Sequence, residues 1–157
     1  MKTYRKIIFV DNHGTIRAPM AEAIFKDFSL NREIIIFSRG LVVLFPEPLN
    51  QKAEAVLAGN GLYLKDYASK KLEESELDED SLVIVMEKEQ KEKLLQLFPQ
   101  AENVEVLTEL TGDEWEIMNP YGAPLPSYGL CFETLNVTLK KLNARMNEGE
   151  EKCQNYT

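Results

Sequence analysis

Four short apolar runs, spaced by helical stretches, limit what this chain can fold into more than any other feature: KIIFV at 6–10, EIIIFS at 33–38, SLVIVM at 81–86 and NVEVLTEL at 103–110. Continuous apolar runs bounded by loops are what strands buried on both faces look like. Between them, PMAEAIFKDF (19–28) puts Pro19 at a first helical position, with Met20, Ala23, Ile24 and Phe28 at helical spacing. NQKAEAVLAGNG (50–61) reads as a helix with Asn50 as its cap and Gly59 and Gly61 as its stop. The charged helix EKEQKEKLLQLF (87–98) is closed by Pro99, and residues 130–146 form a last amphipathic helix. This alternation predicts an α/β fold, a three-layer sandwich with a four-stranded parallel sheet and helices on both faces. Ligands of such folds sit beyond the carboxyl ends of the strands.

With 157 residues, 44% of them hydrophobic, the chain is expected to form one domain over 1–146, with 147–157 a flexible tail. Its apolar runs are too short to cross a bilayer, and MKTYRKIIFV is too briefly apolar for a signal peptide, so no membrane partner is expected. Two cysteines, Cys131 and Cys153, make no disulfide framework, which points to a reducing cytoplasm. A net charge of −8 argues against nucleic acid, whose backbone is held by clustered Lys and Arg. The acidic run KLEESELDED (71–80) reads as a solvated helix face. Oligomeric state is not legible, and no cofactor or metal site is expected.

The first strand runs into VDNHGTIRAPMAEAIF (10–25). A strand, a tight loop and a helix start gather backbone N–H groups into an anion cradle, here Asn12, His13, Gly14, Thr15, Ile16, Arg17 and Ala18. Gly14 admits conformations that other residues resist, and Arg17 offers a fork for two phosphate oxygens. The cradle opens, however, with Asp11, a carboxylate where an anionic ligand would be least welcome.

This stretch resembles the opening of the low-molecular-weight protein tyrosine phosphatases, whose loop starts with a nucleophilic cysteine, carries arginine six residues later and continues Ser-Pro-Met-Ala-Glu-Ala. FSRG (37–40), DYASKKL (66–72), LVIVMEKEQKEKLLQLFP (82–99) and NPYG (119–122) resemble the family's later segments in order and spacing, from about Lys6 to Leu142. The resemblance implies the family's fold. It also implies a mechanism in which a thiolate attacks phosphorus, loop amides and Arg stabilise the transition state, and an Asp donates a proton. Here Asp11 stands at the nucleophile, Asn119 at the general acid, Ala18 at a supporting serine, and His13 and Gly14 at a Gly-Asn pair. Arg17, Pro19 and Tyr121 remain. Phe45 lies where the family carries aromatic specificity residues, either as cleft wall or as core, and Trp115 is either cleft wall or cover for the sheet edge.

Two readings follow from these substitutions. In the first, the catalyst is impaired and the chain serves as a phosphatase-like binding or regulatory module for a phosphorylated protein or a small phosphomonoester. Asp11, accepting from loop amides, is then expected to have its pKa lowered, to stay ionised and to act as the cradle's resident anion. Arg17 either grips a ligand or forms an ion pair with Asp11. In the second, hydrolysis survives through an aspartyl-phosphate on Asp11. DNHGTI also resembles the first motif of the haloacid dehalogenase-like phosphatases, which use magnesium. In that comparison His13 stands at their second Asp, Ser38 at a later motif and residues 112–114 at a poor acidic one. His13 is either a stand-in acid or a loop-surface imidazole.

Overall fold

The computed structural model describes residues 2–29 and 33–155, with side chains described as far as residue 148. Four parallel strands, β1 (Lys6–Asp11), β2 (Ile35–Gly40), β3 (Ser81–Val85) and β4 (Val104–Val106), form one sheet in the order β2-β1-β3-β4. Helices α1 (Arg17–Phe28), α2 (Gln51–Gly59), α3 (Lys88–Leu97), α4 (Leu107–Thr111) and α5 (Leu125–Asn155) complete the fold. The register pairs Ile8 with Phe37 on one side and with Val83 on the other, so β1 is an inner strand, as is β3 between β1 and β4.

Alternation along β1 divides the core in two. Ile7 and Phe9 face a cluster with Ile24 and Phe25 of α1, Leu57 of α2 and Leu135 of α5. Ile8 and Val10 face the other way, onto Val83, Val85 and Leu94 of α3. A strand buried on both faces has no polar side to show, which is why KIIFV reads as an unbroken apolar run. Phe9 meets Phe25 edge to face at 5.9 Å between centroids, locking α1 to the centre of the sheet.

The main strands and helices follow the expectation, with two changes of extent and two of type. The helix α1 begins at Arg17, two residues before Pro19, so the proline sits in its first turn and not at its first position. The strand expected over 103–110 ends at Val106, and the chain turns at once into α4, which buries Leu107, Thr108 and Thr111 and closes at Gly112. The acidic run at 71–80 is not a helix face. Only Glu74–Glu76 form a 3-10 turn, and Glu76 pairs with Arg39 while Asp78 pairs with Lys6. The last helix spans Leu125–Asn155, so the division expected at residue 146 falls inside it. Among the described residues no helix is long and apolar enough to cross a membrane.

Candidate functional site

Where β1 ends, the chain bends through residues 12–16 into α1, and a cleft of about 440 Å³ opens above the bend. Asp11, Asn12, His13, Thr15, Ile16 and Arg17 form its floor and one side. Residues 42–45 and Glu47 form another side, and Asn119 and Tyr121 close it from the turn before α5. Every side chain expected in the cleft is therefore there, apart from the loop's Gly14 and Ala18, which lie beneath it. Phe45 and Tyr121 are 64% and 76% exposed, so both are wall rather than core. Trp115 is 79% exposed and is not part of the lining.

The loop is held from outside by its carbonyls. Val42 N–H donates to Asn12 O at 2.8 Å, and Asn50 N–H donates to Thr15 O at 3.0 Å. The Tyr67 hydroxyl donates to Gly14 O at 2.5 Å. In a planar trans peptide the carbonyl and the next N–H point opposite ways, and the described chain contains no cis bond. With these three carbonyls engaged, the N–H groups that follow them, of His13, Thr15 and Ile16, point the opposite way from those donors, and all three residues line the cleft. None of the three donates to a protein acceptor among the described residues. Gly14 takes φ +71°, and a Cβ on Gly40 would lie 2.6 Å from the His13 carbonyl carbon, so the two glycines let the loop lie directly on β2.

Asp11 is 4% exposed. Its Oδ1 accepts from Gly14 N–H at 2.5 Å and its Oδ2 from Ala18 N–H at 2.9 Å. Ala18 is the second residue of α1, and Ile16 at the helix cap supplies no side-chain bond. Asp11 thus does the work of an N-cap from the end of the preceding strand, with a carboxylate at the positive end of the helix. This also explains why α1 starts before Pro19: the carboxylate secures an amide that the loop would otherwise leave bare.

Two electrostatic expectations are corrected. Burial raises the Asp11 pKa above the ordinary carboxylate value, outweighing the lowering by the Ala18 and Gly14 amides and by the charges of Arg17 and His13. The carboxyl is therefore easier to protonate than an exposed aspartate. Arg17, 2% exposed, makes no hydrogen-bonded ion pair with Asp11. Its Nη1 donates to Glu87 Oε1 at 2.7 Å and to Ile117 O at 2.8 Å.

Around this centre the remaining groups serve as supports. His13 is exposed, and its Nδ1 lies 3.1 Å from Val42 O, a contact that requires the hydrogen on Nδ1 because a carbonyl only accepts. Asn119 Oδ1 accepts from Tyr121 N–H at 3.1 Å, a local turn that sets the entry to the cleft. Behind the loop, Ser38 donates to buried Glu22 at 2.9 Å and lies 3.0 Å from the Tyr67 hydroxyl. Burial pushes the Tyr67 phenol upward, so it stays a donor. Cys131 is buried, with its thiol pushed up to about 11 chiefly by desolvation, and it does not line the cleft. Among the described residues no three His, Cys, Asp or Glu side chains gather to hold a metal ion.

Sequence reasoning did not single out Tyr67, Glu87 or Glu22. Tyr67 lay inside the quoted DYASKKL segment, and Glu87 directly after the third apolar run, so each had a local signal without a stated partner.

Comparison with known proteins places these features in company. The family model for low molecular weight phosphotyrosine protein phosphatase matches residues 6–152. Among curated proteins, the low molecular weight protein-tyrosine-phosphatase PtpB of Staphylococcus haemolyticus is 27% identical over 137 residues, spanning 87% of this chain and 96% of that protein. PtpB of Staphylococcus epidermidis is 30% identical, spanning 78% and 86%. Among solved structures, a low molecular weight protein tyrosine phosphatase from T. tengcongensis superposes with a TM-score of 0.83 at 30% identity, covering 89% of this chain and 98% of that one. The YwlE arginine phosphatase of Geobacillus stearothermophilus superposes at 0.87 with 23% identity, covering 94% and 96%, a likeness of fold.

Proposed function

We propose that this chain, which belongs to the low molecular weight phosphotyrosine protein phosphatase family, is a member that has given up hydrolysis and keeps the cleft as a receptor for a phosphorylated ligand. The observation that carries this reading is Asp11: a carboxyl at the floor of the loop, buried, with each oxygen engaged by a backbone amide. Each of those oxygens already has a lone pair drawn on by an amide, which lowers its nucleophilicity, and a carboxylate is a weaker nucleophile than the thiolate of the family mechanism. Asn119, at the position of the general acid, has no proton to give at neutral pH. Loss of general-acid catalysis alone costs about 10²–10⁴-fold in rate. The ligand class is a phosphomonoester, borne by a protein or a small molecule. It is supported by the three N–H groups of cleft-lining residues that have no protein acceptor among the described residues and by the exposed rings of Phe45 and Tyr121 in the cleft wall.

The second reading, a working phosphomonoester hydrolase that forms an aspartyl-phosphate, draws on the same carboxyl, because Asp11 lines the cleft despite its low exposure. One assay divides the two. In phosphate-free buffer the protein is expected to leave para-nitrophenyl phosphate intact with or without magnesium. The double variant Asp11→Cys, Asn119→Asp is expected to gain turnover on the unchanged scaffold. Steady turnover by the wild type, lost in Asp11→Asn, would establish the aspartyl-phosphate route and end the receptor reading.

A further inference from the structure

We propose that the loop takes up a tetrahedral oxyanion together with one proton, which lodges on the Asp11 carboxyl and bridges it to the bound ion. The inference rests on the receptor reading above and specifies how such a ligand is held. Two facts about the site pull against each other until the proton is added. His13, Thr15 and Ile16 line the cleft and their N–H groups have no protein acceptor among the described residues, which calls for an anion. Beneath them lies a carboxyl that, if ionised, repels that anion at close range. Two acidic groups sharing one nest cannot both stay fully charged at low cost, and the weaker bearer of charge takes a proton.

Asp11 suits that role. It is almost wholly buried, and desolvation already disfavours its ionised form. Once protonated, it donates one O–H to an anion oxygen above while both its oxygens keep lone pairs for the amides of Gly14 and Ala18. The neutral acid becomes one more donor in the ring. Arg17 contributes positive charge beside the floor, although Glu87 absorbs part of it at 2.7 Å.

The charged and titratable groups facing Asp11 come from every side. They are His13 on the loop, Arg17 on α1, Tyr67 behind the loop and Cys131 on α5, with Glu87 bound to Arg17, Glu22 of α1 beside Tyr67, and Glu47 in the wall of the same cleft. Burial holds Tyr67 and Cys131 in their protonated forms at neutral pH. Histidine is the side-chain type that changes charge between pH 5 and 8, so His13 needs its own control.

The test is calorimetric titration of the full chain with sulfate, which stays doubly charged from pH 5 to 8. Saturable binding is expected, with affinity falling up to about tenfold for each unit of rising pH once free Asp11 is ionised. Titrations in two buffers of different ionisation heat should read close to one proton taken up per sulfate in that range. Asp11→Asn and Asp11→Ser should bind sulfate with that slope lost, and His13→Gln should keep it. If one Asp11 variant fails to fold, the other, read against the wild-type proton count and His13→Gln, decides. Phenyl sulfate separates the sources of the oxyanion. Tenfold tighter binding than sulfate assigns the site to aryl esters reaching Phe45 and Tyr121, and equal or weaker binding assigns it to the free ion, with proton uptake in both cases. Binding independent of pH, a slope that survives in both Asp11 variants or vanishes in His13→Gln, or no saturable binding at any pH would overturn the proposal. Turnover of para-nitrophenyl phosphate would overturn the receptor reading instead, so the two failures are distinct.

Discussion

At the scale of single residues, Asp11 joins stability to pH. Its carboxyl replaces solvent at two amides, those of Gly14 and Ala18, and removing it leaves both donors without their partner. Asp11→Ala is expected to destabilise the fold by about 1–3 kcal/mol, the cost of stranding buried donors and losing a helix cap, measured by urea unfolding. The pH dependence has a definite sign. The folded pKa is raised by burial, so between the unfolded and folded values the native state holds more protons than the unfolded chain. The Asp11 contribution is therefore full below the ordinary carboxylate range and is lost as pH rises through the folded value. Relative to Asp11→Asn, the wild type should gain stability on acidification through that window. A flat difference across pH would show that burial does not govern this carboxyl. The presence of Asp11 at a phosphate-type loop was legible from the quoted residues. The direction of its pKa was not, because the same amides and guanidinium that lower it are outweighed by desolvation, which depends on how α1, α5 and the segment at Tyr67 close over it.

At the scale of elements, the decisive feature is the outward tethering of the loop. Two of the three tethers are backbone amides, from Val42 and Asn50, and the third is the Tyr67 hydroxyl. Tyr67→Phe keeps the ring and removes only that donor. It should cost about 1 kcal/mol of stability, the net value of one hydrogen bond. It should also free the Gly14–Thr15 peptide to rotate, seen as faster hydrogen exchange at the loop while α5 amides are unchanged. Exchange that stays the same would mean the backbone tethers suffice. Helix α1 shows how far local signals reach. Its spacing of Met20, Ala23, Ile24 and Phe28 announced a helix, but its start was placed at Pro19 on that residue's preference for a first helical position. The cap arrives from Asp11, across the loop. Similarly, NVEVLTEL was legible as an apolar run, and its split into β4 and α4 was not. A short buried run satisfies either period until its neighbours are known.

At the scale of the whole molecule, the sheet is a rigid platform that brings distant segments to one cleft. Phe9 is fully buried at the middle of β1 and packs on Phe25 of α1. Phe9→Ala should cost about 3–5 kcal/mol in urea unfolding, since a cavity there separates α1 from the strand that launches the loop. A loss below about 1 kcal/mol would mean that neighbours collapse into the space and that β1 is not the anchor assigned to it. The parallel three-layer architecture was legible in the sequence because it depends on short apolar runs alternating with helical stretches, a pattern carried along the chain itself. So was the grouping of Asp11, Arg17, Asn119, Phe45 and Tyr121, through the order and spacing of segments shared with the family.

Sequence alone therefore determined the main strands and helices, the parallel fold, the place of the loop and the chemical identities that set this chain apart at Asp11 and Asn119. Tertiary structure decided whom those groups meet. Arg17 finds Glu87 and Ile117 at 70 and 100 residues' separation, and Gly14 finds Tyr67 at 53. Hydrogen-bond partners and desolvation depend on distance in space, and a chain's local pattern holds no record of either until the sheet has aligned its strands.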